Sequence, residues 1–80
     1  MSTSANIKLI WDFRGPDAEG LAVHHEKHLA QYRDRNGMNH SATGCDELAP
    51  RHWIAWITVA EIEMITTRDA LRPHRGEKLV

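Results

Sequence analysis

Eighty residues make a single domain, and a formal net charge of −1 with a pI near 6.6 disfavours a dedicated nucleic-acid binder, which is usually basic overall. One cysteine, Cys45, excludes an intramolecular disulfide and fits a reducing cytosol. A chain this short buries only about 60% of its unfolded surface, so a metal or a partner subunit would help stabilise it.

No basic start followed by an apolar run opens the sequence, so no signal peptide is expected. No apolar stretch approaches the roughly 18 residues of a membrane span, and the expected location is cytoplasmic. Residues 1–5 and 75–80 are expected to be flexible ends of the one domain, 1–80.

Ile7 to Phe13 alternates. Ile7, Leu9, Trp11 and Phe13 share one face; Lys8, Ile10 and Asp12 share the other. That is a strand. Gly15-Pro16 breaks it, and a helix follows to about Arg35, with acidic residues in its first turn, Arg33 and Arg35 in its last, and Gly37 as cap. Met38 to Pro50 is weakly patterned, with a short or edge strand expected around His40 to Asp46. Arg51 to Val59 is a second clear strand, largely apolar on both faces, which implies cover on both.

Thr58 and Glu61 have capping-box spacing, and a second helix is expected from about Val59 to Arg72, stopped by Pro73. Its apolar stripe is imperfect, with Val59, Ile62, Ile65, Thr66 and Ala70 on one side and Met64 and Leu71 on the other, and a strand continuing through Ile65 is the alternative. The tail could add a short last strand. The order β-α-β-β-α(-β) is a ferredoxin-like α+β unit, an antiparallel sheet with helices on one face. The bare sheet face is then expected to pair two copies into a homodimer.

Three histidines fall in five residues, "HHEKH", from His24 to His28. A helix turns about 100° per residue, which separates them. His25 falls within the apolar stripe of Ala18, Leu21, Ala22, Leu29 and Tyr32. His28 borders it, and His24 faces water, as do Glu26 and Lys27. His24 and His28 are one turn apart, workable metal-ligand spacing, but a zinc site needs a third and usually a fourth ligand. His40, His52, Cys45 and Asp46 are conceivable donors that no spacing compels. No metal site is favoured, and no cofactor is called for. The plain alternative is two histidines on a solvated helix edge.

His25 is the acid/base candidate, since imidazole titrates near neutral pH. Asp12 alternates opposite to Trp11 and Phe13, so it points away from His25. A core-facing histidine is the structural alternative. Arg14, Trp53 and Trp56 are candidate ligand-binding residues, the tryptophans for a flat ligand, although core or interface packing is the plainer account of them. Cys45 has no nucleophile context. Arg68, Arg72, His74, Arg75 and Lys78 gather at the tail, where they form a solvated helix end or touch a phosphate or acidic partner.

The first strand, "HHEKHLAQY" on the first helix and a glycine before the next strand resemble the small dimeric α/β-barrel superfamily, in particular its YciI-like and muconolactone-isomerase-like members. The resemblance covers about the first 45 residues at the level of pattern. It implies a ferredoxin-like subunit that pairs sheet to sheet, with a first-helix histidine in an active-site cleft. The matching positions here are His28, in "HL", and His25 one turn earlier. The family's acidic residue after the glycine is matched loosely by Asp46 in "GCDEL". The expected function is a small dimeric protein that binds a small molecule or performs acid/base chemistry near those histidines. A non-catalytic interaction module and a histidine-based metal-binding protein are the alternatives. Whether the chain is an enzyme stays open.

Overall fold

A computed structural model describes residues 6–79. The expectations for residues 1–5 and for Val80 lie outside the described residues. The elements are β1 (Ile7–Arg14), α1 (Ala18–Arg35), β2 (Thr43–Ala49), β3 (His52–Val59), α2 (Glu61–Leu71) and β4 (Arg75–Lys78). The four strands form one antiparallel sheet in the order β2-β3-β1-β4. This is a mixed α+β architecture compatible with the ferredoxin-like β-α-β-β-α-β fold. Residues 75–78 form the last strand, which the first strand's free edge makes possible: Ile7 pairs with Lys78 and Ile10 with Arg75. Among the described residues no helix is long and apolar enough to cross a membrane.

The alternation in β1 and β3 sets the two faces. Leu9, Trp11, Ala55, Ile57 and Val59 meet Leu29 of α1 and Met38 in the core. Ala18 and Ala22 are buried beside Leu29, and their small side chains let α1 lie close to the sheet. Gly15 and Gly37 flank α1 with φ of 108° and 65°, left-handed values that favour glycine.

Both helices are rotated relative to the sequence pattern. On α1, Leu21 is exposed, and Glu26 turns partly inward because Thr43 Oγ1 donates a hydrogen bond of 2.9 Å to its Oε2. On α2 the inward side is that of Met64 and Leu71. Thr67 is buried and Glu63, Met64 and Leu71 are half-buried, while Ile62 and Ile65 are 86% and 57% exposed. The cap explains the phase. Thr58 stays in β3, where its hydroxyl accepts from Ala42 N–H at 2.8 Å. The helix starts two residues later than a Thr58 cap requires, and Glu63 Oε1 takes the Ala60 N–H at 3.0 Å. The same oxygen holds His40 Nε2 at 2.7 Å, which ties the α1–β2 loop to the start of α2.

Candidate functional site

The helix-covered face and the open face carry different chemistry. On the covered face, His25 is half-buried against the rings of Trp11 and Phe13, with ring centres 4.8 and 5.6 Å away. Its Nε2 is sealed from solvent and has no hydrogen-bond partner among the described residues. Burial holds its pKa below the usual imidazole range, and the nearby His28, His74 and His24 push the same way. The imidazole is therefore uncharged at neutral pH. His24 and His28 are exposed on the outer side of α1, their Nε2 atoms 3.0 Å apart and their rings nearly perpendicular at 80°. Trp53 is half-buried, paired with Phe13 across the ladder. Arg14 is exposed at the end of β1. Cys45 is half-buried, and burial reinforced by the charges of Glu26, Asp46 and Glu19 raises its pKa, so it stays a thiol.

Asp46 lies on the opposite side of the sheet from His25 and His28. It pairs with Ile54 and accepts the Trp56 Nε1–H bond at 2.9 Å. The sheet separates it from the first-helix histidines, so the two halves of the expected site do not meet within one chain. Asp46 and Trp56 do come together, and the reason is Gly44. It stands across from Trp56, and the indole lies over the bare backbone: a Cβ on Gly44 would sit 2.5 Å from Trp56 Cζ2. Lys8 Nζ covers the ring 4.7 Å from its centre.

The alternation that placed Asp12 on the open face also created an ion cluster the sequence did not announce. Asp12 Oδ1 accepts from His52 Nε2 at 2.8 Å and from Arg75 Nη2 at 3.2 Å, and Oδ2 accepts from Arg75 Nε at 3.0 Å. The two-pronged guanidinium contact lowers the Asp12 pKa from 3.8 to about 2, helped by His52 and opposed by burial. Ile10 and Ile54 are buried on this same face. The signal for the cluster was the β1–β3–β4 register, which brings His52, Asp12 and Arg75 to neighbouring positions and is not written in local periodicity.

A concavity lies on the covered face, away from the first-helix histidines. It is a groove of about 400 Å³ between α2 and β4. Ile7, Leu9, Met64 and Pro73 supply its apolar surface, and Arg68 and Lys78 are its cationic residues; Arg75 and Glu77 also line it, but their charged ends meet on the open face, where Arg75 pairs with Asp12. Its origin is local. The β4 residues on the covered face are Gly76, opposite Leu9, and Lys78, opposite Ile7. Neither gives α2 an apolar partner, so helix and strand stay apart. His74 connects the regions: it lines the groove, its ring centre is 6.4 Å from that of Phe13, and its Nδ1 accepts the Asp12 N–H at 2.8 Å. The basic cluster at the tail is the sequence signal that pointed here.

Among the described residues no three His, Cys, Asp or Glu side chains gather closely enough to hold a metal ion. No family model, curated protein or solved structure matches the chain.

Proposed function

We propose that the chain is a small-molecule-binding protein and that the α2–β4 groove takes an apolar molecule carrying one acidic group. The carrying observation is the groove itself: about 400 Å³, within the size range of ligand sites, apolar along Ile7, Leu9 and Met64, with an excess of cationic side chains around it. Octanoate is a suitable probe and octanol its uncharged control. Amide and methyl NMR shifts at Leu9, Met64 and Gly76 should move with octanoate and move less with octanol. A Cβ at Gly76 would meet nothing closer than Leu9 Cδ2 at 3.4 Å, so Gly76→Val fits the strand and fills the groove. It should keep the fold and abolish those shifts. Unchanged shifts in Gly76→Val, or none at the groove in the wild type, would reject the reading.

Acid/base chemistry at His25 is a second reading, favoured by its unpartnered Nε2 beside Trp11 and Phe13. It connects to the groove through Phe13 and His74. The same titration on His25→Leu decides it: a more stable protein with unaltered octanoate shifts makes His25 a packing residue.

The open sheet face is, in this reading, the surface that pairs two copies. Trp56 lies there among charges of both signs, Lys8 and Arg75 beside Asp12, Asp46 and Glu77, a mixture that suits a self-complementary two-fold contact. Ile10 and Ile54 are already buried within the subunit. Pairing therefore rests on the indole and the charged groups, and salt should weaken it. Sedimentation equilibrium should show a dimer that dissociates as salt rises; a monomer at high protein concentration and low salt would contradict this.

A further inference from the structure

His24 and His28 take no part in the groove. They stand one helical turn apart, both exposed, with their Nε2 atoms 3.0 Å from each other. Two neutral imidazoles at that distance satisfy only one arrangement, in which one Nε2–H donates and the other ring carries its proton on Nδ1. A bound cation satisfies both lone pairs together. Metal–nitrogen bonds of about 2.0–2.1 Å that span this separation enclose roughly 90–97° at the ion. That angle suits two adjacent corners of a tetragonal site better than the wider tetrahedral angle preferred by zinc. Imidazole nitrogen also excludes calcium and magnesium, which take oxygen ligands.

We propose that His24 and His28 form an exposed two-histidine site for copper(II) or nickel(II), with water in the remaining positions. The spacing is fixed by α1, whose middle turns hold both side chains on one edge while Leu29 anchors the opposite side in the core. Copper(II) binds more tightly than nickel(II), following the general order of divalent affinities. The ion crosses one turn of α1, so its binding also stabilises the folded state.

The test is calorimetric titration of the chain, without an affinity tag, by nickel chloride and copper chloride in a non-chelating buffer near neutral pH. The wild type should bind one ion at this site. His24→Ala and His28→Ala each leave a single imidazole and should weaken binding on the order of 100-fold, the loss of a linked second contact. Both positions are exposed, so both variants should keep the wild-type circular dichroism. His25→Leu should retain the ion. Absence of a stoichiometric complex overturns the proposal. So does a complex whose affinity is unchanged in His24→Ala, or one that is lost in His25→Leu while the fold is intact. None of these outcomes depends on octanoate binding, so the groove and the metal site stand or fall separately.

Discussion

Asp12→Ala is expected to lower stability by about 2–3 kcal/mol, the cost of leaving a partly buried ionic partner without its counter-charge. The carboxylate is 13% exposed and holds two side chains, the His52 imidazole from β3 and the Arg75 guanidinium from β4. Its removal frees the start of β4, which Arg75 otherwise pins to β1. For a domain whose whole stability is a few kcal/mol, that is a large fraction. Acid should reproduce the effect in the wild type. The Asp12 pKa is lowered in the folded state, from 3.8 to about 2. The stabilisation is therefore complete above pH 4 and is lost as pH falls from there through 2. The shift corresponds to an upper limit near 2.5 kcal/mol, and solvent around the half-exposed Arg75 reduces this to about 1–2 kcal/mol. Urea unfolding at stepped pH checks both parts. Asp12→Ala should start less stable and lose less between pH 4 and 2. Parallel curves for the two proteins would show that another group carries the acid transition.

The second large effect is expected at Gly44. Gly44→Ala places a methyl group 2.5 Å from the Trp56 ring, so the indole must leave its seat. With it go the Asp46 hydrogen bond and the Lys8 contact. The expected cost is about 1–3 kcal/mol, typical of an overpacked site. The Trp56 indole N–H resonance should shift, while those of Trp11 and Trp53, on the other sheet face, stay in place. Unchanged stability together with an unmoved Trp56 resonance would mean that the indole does not lie over Gly44.

Much of the fold was legible because period-two patterning is strong in β1 and β3. The same alternation assigned Asp12 to the face away from His25, and the structure places it there. The helix phases were harder to read. In α2 both sides carry apolar residues, and only the cap at Ala60 and Glu63 chooses Met64, Thr67 and Leu71 as the inward side over Ile62 and Ile65. That choice depends on where β3 ends, which the Thr58–Ala42 hydrogen bond decides. In the weak segment before Pro50 the edge strand expected around His40 to Asp46 is β2, displaced to Thr43–Ala49; four of its seven residues are exposed, and its bounds were hard to read because an edge strand gains its order from its neighbour rather than from its own pattern.

The candidate site was legible in part. Helical projection set His25 inward, where it is half-buried, and His24 toward water, where it is exposed; His28, expected at the border of the apolar stripe, is exposed as well. It could not show that Asp46 and Trp56 meet on the far side of the sheet, because strand register is a long-range property. The groove was hidden for a similar reason. Gly76 and Lys78 are unremarkable in sequence, and they matter only because β4 sets them opposite Leu9 and Ile7, beneath α2.

The most direct test of groove binding is a filtered NOE spectrum of the chain saturated with octanoate. The predicted result is contacts from the ligand's methylene chain to the side chains of Leu9 and Met64, with its carboxylate end toward Arg68 or Lys78. Contacts confined to the open face around Trp56, or to the exposed Ile62 and Ile65 of α2, would contradict it.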